Sequence, residues 1–181
     1  MSRPFVIALL GAESTGKTTL AGEVVAAMTA RGRRVARVDE ALREFCIEHA
    51  RTPRADEQAG IAAEQTHRID AASVAADVVV ADTTALMIAV YSDFIFADRG
   101  LYASAEAAQR RIDLTLLTAL DLPWRADGLQ RDGEHVREPI DTLVRAALGR
   151  AGVAFTMVSG RGFLRLASAL RAIDGALAAE R

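Results

Sequence analysis

The residues best suited to do chemistry lie in the segment GAESTGKTTL, residues 11–20, which follows the apolar run FVIALL. The segment fits the pattern G-x-x-x-x-G-K-[ST], in which a strand turns sharply into a helix. Glycines permit the turn, and backbone N–H groups together with the positive end of the helix attract phosphate oxygens. The segment therefore predicts a loop that binds the phosphates of ATP. The predicted ATP-binding residues are Gly11, Glu13, Ser14, Thr15, Gly16, Lys17, Thr18 and Thr19.

Two side chains of this loop have distinct predicted roles. The ammonium group of Lys17 would reach the β- and γ-phosphates, which is a catalytic role, and the hydroxyl of Thr18 would ligate Mg²⁺. The chain has 22 basic residues, and Lys17 is the only lysine among them. Because a planar guanidinium does not replace a compact ammonium in a phosphate loop, the single lysine indicates a functional residue. ATP and Mg²⁺ are the expected cofactors.

Two carboxylates follow apolar strands and are expected close to the loop. Asp82 ends the run VVVAD, and acidic residues at this place in P-loop folds commonly hold the Mg²⁺ shell. The predicted role of Asp82 is metal binding or catalysis, and the alternative is that it only caps the next helix. Glu40 and Arg43 share a helix face, so they form either a surface ion pair or part of an acceptor site. A kinase needs a carboxylate to orient or deprotonate its acceptor hydroxyl, and Glu40 and Asp82 both remain candidates.

A polar loop, residues 121–137, is expected to act as a lid. It contains Arg125, Arg131 and Arg137 within Gly-containing sequence. A mobile arginine loop can close over ATP, exclude water and stabilise the charge of the transferring phosphoryl group, so Arg131 and Arg137 are predicted to be catalytic. The alternative is a solvated arginine-rich loop. Trp124, the only tryptophan, would stack on an aromatic acceptor or anchor the lid.

These residues require a parallel sheet to bring them together. Apolar runs at 5–10, 34–38, 77–82, 113–120 and 153–160 alternate with helical segments at 17–32, 41–51, 52–76, 83–96, 104–111, 137–152 and 161–180. This alternation predicts an α/β protein with the P-loop NTPase fold, in which a five-stranded parallel sheet is flanked by helices. A length of 181 residues predicts a single domain over 1–181. The last helix would shield a sheet edge or join a homo-oligomer.

Composition narrows the classes of partner. The net charge of −2 provides no basic field for nucleic acid, and no apolar stretch reaches the length of a membrane span. A single cysteine, Cys46, excludes an internal disulfide framework, and a core position is its expected role. The chain enters its first strand at residue 5 with no signal-peptide pattern before it. We therefore expect a cytoplasmic protein that acts on a small molecule.

Several segments together resemble the ribosylnicotinamide kinase domain of NadR-type proteins, an AAA-type P-loop ATP-binding domain. They are GAESTGKTTLA, DEALREF, VVVADTTALMIAVY, DLTLLTALDLPWRADGLQRDGEHVRE and VSGRGFLRLASAL. The most specific element is D-L-P-W-x-x-D-G-x-x-R, which includes Trp124, Asp127 and Arg131. The resemblance implies transfer of the ATP γ-phosphate to the ribose 5′-hydroxyl of nicotinamide riboside. The acceptor-binding residues that follow from these interpretations are Glu40, Arg43, Asp82, Trp124 and Asp127.

The resemblance also limits the expected activity. Bifunctional members carry an adenylyltransferase domain, and sometimes a DNA-binding domain, before this one, and neither fits before a strand that begins at residue 5. We therefore expect at most formation of the mononucleotide. The competing interpretation is a regulatory ATP-binding protein that hydrolyses ATP slowly and has no small-molecule acceptor. The lid loop and the two strand-end carboxylates favour the kinase.

Overall fold

A parallel sheet of five strands forms the centre of the computed structural model, which describes residues 3–125 and 133–179. The strands are β1 (Phe5–Leu10), β2 (Val35–Val38), β3 (Val78–Asp82), β4 (Leu114–Thr118) and β5 (Phe155–Val158). Their order across the sheet is β2-β3-β1-β4-β5. The strand that precedes the phosphate loop is therefore central, and β3 and β4 bring their carboxyl ends to either side of the loop.

The described helices flank this sheet. They are α1 (Lys17–Ala30), α2 (Ala41–His49), α3 (Gln58–Ala72), α4 (Ala85–Phe96), α5 (Tyr102–Gln109), α6 (Arg137–Ala151) and α7 (Phe163–Ala179), with 3-10 turns at Ala55–Glu57 and Glu134–Val136. Among the described helices, none is long and apolar enough to cross a membrane.

Both faces of β1 are buried, which explains why its sequence is continuously apolar rather than alternating. Phe5, Ile7 and Leu9 pack with α1 and α7 on one face. Leu10 belongs to the larger cluster on the other face, to which α4 and α6 contribute most of their buried residues. The sheet thus supports the site from within the core, and the loops at the carboxyl ends of its strands carry the candidate functional residues.

The predicted fold class is confirmed, and the differences concern where elements begin and end. The fifth strand is limited to Phe155–Val158 rather than 153–160, and the helix expected at 104–111 is Tyr102–Gln109. The helix expected from residue 83 begins at Ala85, because Thr84 is its N-cap and its hydroxyl accepts a hydrogen bond from the N–H of Leu86 at 3.3 Å. These ends depend on capping and tertiary contacts, which apolar periodicity does not report.

Candidate functional site

The phosphate loop is the turn between β1 and α1, and both of its pattern glycines adopt backbone conformations that suit glycine. Gly11 has φ 146°, and a Cβ atom there would lie 2.1 Å from the hydroxyl oxygen of Thr118. Gly16 has φ 76° and immediately precedes Lys17, the first residue of α1. A side chain at Gly11 would therefore collide with β4, so this glycine is required by the fold itself as well as by the approach of phosphate.

Buried hydroxyl groups hold the loop against β4. The hydroxyl of Thr15 donates to the carbonyl of Ala12 at 2.8 Å. The Oγ1 atom of Thr118 lies 2.7 Å from that of Thr15 and 3.1 Å from the carbonyl oxygen of Leu10. Because the Thr15 side chain is fully buried and committed to these contacts, its predicted role in binding ATP would fall to its backbone.

Arg165 provides a second brace from the opposite end of the chain. Its Nη2 donates to the carbonyl of Thr15 at 2.6 Å, and its Nη1 donates to Asp121 at 2.8 Å and to the carbonyl of Gly160 at 2.9 Å. Burial opposes ionisation of Asp121, but the hydrogen bonds from Arg165 and from the N–H of Gly160 outweigh it and lower the pKa of this carboxyl. Arg165 is 4% exposed. It thereby joins the loops after β4 and β5 to the phosphate loop.

The first residues of the expected lid also lie against the phosphate loop. The N–H of Arg125 donates to the hydroxyl oxygen of Ser14 at 2.8 Å. Trp124 is half-buried, and whether it anchors the lid or stacks on an acceptor stays a prediction. Two of the predicted lid residues, Asp127 and Arg131, lie outside the described residues, so closure of the lid and their roles stay predictions.

A cavity of about 330 Å³ lies beside the loop. The consecutive residues 13–19 form its phosphate side. The residues of its other side, called here the acceptor side, are Glu40, Leu42, Arg43, Cys46, Thr52, Pro53, Gln58, Tyr91, Ile95 and Phe96. Most of the sequence-predicted residues therefore meet in one cavity.

Lys17, Glu40 and Arg43 bring opposite charges together in this cavity. The ammonium of Lys17 donates to the carbonyl of Ala12 at 2.8 Å. Glu40 Oε2 lies 3.6 Å from Arg43 Nε, and the Glu40 side chain is only 16% exposed. The two residues thus form a partly buried ion pair on the cavity wall, and their role in an acceptor site stays a prediction. Burial raises the pKa of the Glu40 carboxyl, the charges of Lys17 and Arg43 lower it, and the charge of Asp82 raises it, with a net increase.

Asp82 is at the expected end of β3 and 1% exposed, but it does not line the described cavity. Its Oδ2 lies 3.9 Å from Arg37, and its Oδ1 has no hydrogen-bond partner among the described residues. Because Thr84 caps α4, the interpretation of Asp82 as only a helix cap is wrong. The role of Asp82 as a metal ligand or catalytic residue stays a prediction.

The donors present fit a magnesium ion that binds together with phosphate. Mg²⁺ usually takes one or two carboxylates, and substrate phosphates and waters complete its shell. Asp82 Oδ1, which has no partner in the described part of the chain, and the cavity-lining hydroxyl residue Thr18 match that donor set. Within residues 3–125 and 133–179, no cluster of three or more His, Cys, Asp or Glu side chains could hold a metal without such help.

Arg137 was expected in the lid loop, but it lies in a helix and is buried. It is the first residue of α6 and 5% exposed, so its interpretation as a solvated loop arginine is wrong. Its Nε and Nη2 atoms have no hydrogen-bond partner among the described residues, and it does not line the cavity. The catalytic role of Arg137 stays a prediction.

Three site residues were missed in the sequence. Thr118 could have been suspected, because it ends a strand at the carboxyl edge of the sheet. Arg165 contacts Thr15 across 150 positions, and no spacing or motif reports such a contact. Gln58 begins α3, and only its burial beside the cavity distinguishes it from other polar residues at helix starts.

Comparisons with known proteins agree with the fold described above. The model of the AAA domain family matches residues 6–165. No curated protein sequence matches the chain. The solved structure of the NadR protein in complex with NR has a TM-score of 0.76 and 22% identity over 95% of this chain, which spans only 49% of that protein. Thymidylate kinase from Ehrlichia chaffeensis has a TM-score of 0.64 and 10% identity over 96% of this chain and 99% of its own.

Together the comparisons confirm the resemblance found in the sequence at the level of the fold. Both solved structures share the fold of this chain, and identities of 22% and 10% establish no more than that fold. The family model covers most of the sequence, from β1 through the arginine that braces the phosphate loop. This chain belongs to the AAA domain family.

Proposed function

We propose that this protein is an ATP-dependent kinase that phosphorylates a nucleoside hydroxyl, with nicotinamide riboside as the acceptor. The observation that carries the proposal is the composition of the cavity. One continuous space is lined by the phosphate loop and by a second wall with a carboxylate and aromatic rings. Hydrolysis of ATP needs only a positioned water beside the phosphates, whereas this second wall suits an organic ligand.

The phosphate side would bind ATP and neutralise the negative charge of its phosphates. The loop from Gly11 to Thr18 would hold the phosphates, and Lys17 would neutralise charge that develops on the transferring group. Thr18 and Asp82 would hold Mg²⁺, which when bound offsets the negative charge of the phosphates. Arg131 and Arg137 would act from the lid side.

On the acceptor side, Glu40 is the group proposed to orient and deprotonate the hydroxyl. The hydroxyl oxygen forms a bond to the γ-phosphorus, the bond between that phosphorus and the departing ADP oxygen breaks, and the hydroxyl proton moves to the Glu40 carboxylate. A general base works best when its pKa lies near the working pH, and burial moves the pKa of Glu40 upward, in that direction. Asp82, which is electrostatically coupled to Glu40, is the second candidate for this role.

The choice of nicotinamide riboside has two supports. Its glycosylated pyridine ring carries a positive charge, and the acceptor side offers the carboxylate of Glu40 and the aromatic rings of Tyr91 and Phe96 to such a ring. A protein of the same fold, NadR, was solved in complex with NR, which we take as nicotinamide riboside. Arg43, Trp124 and Asp127 complete the proposed acceptor site.

The experiment is a measurement of ADP formation by the purified protein with ATP and Mg²⁺, with and without a panel of nucleosides. We expect turnover to rise at least about 100-fold with the correct acceptor, because a water molecule alone is a poorly positioned nucleophile. Mass spectrometry should find the acceptor 80 Da heavier, the mass of one added phosphoryl group. Equal ADP formation with and without every acceptor would contradict the proposal and support a regulatory ATPase.

A further inference from the structure

We infer that Gln58 determines acceptor specificity by hydrogen bonding to a carboxamide group on the acceptor. Gln58 is 2% exposed and lines the acceptor side of the cavity. Its side-chain Oε1 has no hydrogen-bond partner among the described residues. The inference rests on the proposed kinase function and identifies the group of the acceptor that this wall recognises.

A second glutamine on the same helix shows what a structural glutamine looks like in this protein. Gln65 lies seven residues further along α3, hence about two turns away on the same face. Its Oε1 accepts from the N–H of Ala41 at 2.7 Å, and its Nε2 lies 3.3 Å from the carbonyl oxygens of Asp39 and Thr83. Gln65 is completely buried and well satisfied, and it does not line the cavity.

The contrast between the two glutamines points to a ligand. A buried polar atom without a partner destabilises the folded state, and most such atoms in proteins are satisfied. An apolar side chain of similar size at position 58 would avoid this cost. A glutamine that is buried, unsatisfied and beside a cavity is therefore explained when a ligand supplies its missing hydrogen bonds.

The chain segment before Gln58 holds it in place. Arg51 and Glu57 form a bidentate ion pair with two distances of 2.7 Å, and the N–H of Arg54 donates to Glu57 at 2.8 Å. These hydrogen bonds lower the pKa of Glu57 to about 2, so the pair stays charged at neutral pH. The backbone at Gln58 is thereby anchored, whereas the torsion next to its amide group has a broad energy minimum. The amide plane can therefore turn to meet a ligand.

The chemistry of the amide selects the ligand group. A glutamine side chain has one carbonyl acceptor and an NH₂ donor, and a carboxamide carries the complementary pair. A carboxylate has no N–H group to offer to Oε1, and an unsubstituted ring offers neither partner. Leu42, Cys46 and Phe96 also line this side, and an apolar surrounding strengthens the hydrogen bonds made there.

The test uses three ribosides that differ only at this group: nicotinamide riboside, nicotinic acid riboside and pyridine riboside, which has hydrogen in place of the carboxamide. We expect the wild-type kcat/KM for nicotinamide riboside to exceed those of both analogues by about tenfold or more. In Gln58→Leu the preference over pyridine riboside should fall below about threefold, because neither riboside can then form the hydrogen bonds. Dissociation constants from calorimetry with a non-hydrolysable ATP analogue should show the same change without any turnover.

Gln65→Leu is the matched control. It should lower the melting temperature, since it leaves the N–H of Ala41 unsatisfied, whereas Gln58→Leu should keep or raise it. The inference is wrong if wild-type protein binds nicotinamide riboside and pyridine riboside equally, if Gln58→Leu weakens both alike, or if it destabilises the fold as Gln65→Leu does. Failure to phosphorylate any nucleoside would instead contradict the kinase proposal, and the calorimetric comparison would still decide the role of Gln58.

Discussion

The two sides of the cavity are built differently. On the phosphate side, hydrogen bonds to β4, to α7 and to the loop after β4 hold Thr15 and Ser14. On the acceptor side, Gln58 is buried and its Oε1 has no hydrogen-bond partner within residues 3–125 and 133–179, and burial raises the pKa of the Glu40 carboxyl. The phosphate side is thus held in place by hydrogen bonds, whereas the acceptor side contains buried polar groups that destabilise the folded state when no ligand is bound.

This difference indicates how the two ligands would be recognised. A phosphate group has the same shape in every nucleotide, so a loop fixed in advance by the fold loses little entropy on binding it. An acceptor must be distinguished from related molecules, and unsatisfied buried groups reject any ligand that cannot supply the missing partner. Substitutions on the phosphate side should therefore reduce activity with every acceptor. Substitutions on the acceptor side should lower activity or selectivity while the stability of the fold stays the same or increases.

The largest expected effect is that of Lys17→Ala. We expect turnover to fall by about 10³-fold or more, because the charge on the transferring phosphoryl group loses its fixed cation. The fold should persist, since the carbonyl of Ala12 keeps its hydrogen bond from the Thr15 hydroxyl. ADP formation and the melting temperature measure the two properties. Lys17→Arg, which keeps the charge but not the shape, should also be inactive, and near-wild-type turnover in either variant would refute the assignment of the loop.

Glu40→Gln should give the next largest loss, about 10² to 10⁴ in kcat, if Glu40 is the base. The same variant should be more stable than wild type at neutral pH. The folded-state pKa of Glu40 is raised, so the stability that this group contributes is present below the ordinary glutamate pKa and is lost as pH rises through the folded value. The glutamine amide of the variant does not ionise, so the variant does not lose stability as the pH rises.

Urea denaturation of both proteins between pH 4 and pH 8 measures this effect. The stability difference should be largest at neutral pH and should disappear towards pH 4. In wild type, the acidic limb of kcat/KM should lie above the ordinary glutamate pKa of 4.5. A variant that is inactive and also less stable at pH 7 would mean that Glu40 supports the fold rather than the chemistry.

Asp82→Asn should have a smaller and more selective effect. We expect the Mg²⁺ concentration for half-maximal turnover to rise about 10- to 100-fold, because the amide is a weaker ligand than the carboxylate. Nucleotide binding in EDTA should change less than about threefold. Titration of activity with Mg²⁺ and fluorescence binding of a nucleotide analogue test the two parts. Equal small changes in both would remove Asp82 from the metal site.

Arg165→Met should have the smallest effect on activity and a clear effect on stability. Loss of its buried hydrogen bonds should cost about 2 kcal/mol, or about 4–8 °C in melting temperature. The KM for ATP should rise several-fold while the KM for the acceptor changes less. Arg171→Met, on the same helix but exposed, is the control and should change neither. A larger change in the acceptor KM would contradict the role of Arg165 as a brace of the phosphate side.

The sequence predicts one side of the cavity better than the other, because the contacts that define the phosphate loop are local in the chain and those of the acceptor side are not. The phosphate loop is a local structure, so the eight residues from Gly11 to Thr18 specify its turn, its helix start and its chemistry. Asp82 and Glu40 could be placed because strands of a parallel sheet end at one edge. Even so, the sequence did not indicate that Asp82 lies outside the cavity lining while Glu40 lies inside it.

The remaining determinants could not be predicted because they depend on tertiary contacts. The difference between Gln58 and Gln65 appears only once their partners are known, since both are polar residues on one amphipathic helix. Arg165 looks like any charged residue near the start of a helix until its contact with Thr15 is seen. Thr84, rather than Asp82, is the helix cap: its hydroxyl accepts from the N–H of Leu86, and the backbone at Thr83 before it has a positive φ of 78°.

The central position of β1 has a consequence for synthesis of the protein in the cell. The strand is made first, yet its two neighbours in the sheet, Val78–Asp82 and Leu114–Thr118, are made about 70 and 110 residues later. At translation rates of about 5–20 residues per second, the apolar segment FVIALL waits about 5–20 s before both partners exist. Such late pairing makes folding slow and exposes a strand that favours aggregation. We therefore expect the yield of soluble protein to depend on chaperones and on growth temperature more than the stability of the finished fold would indicate.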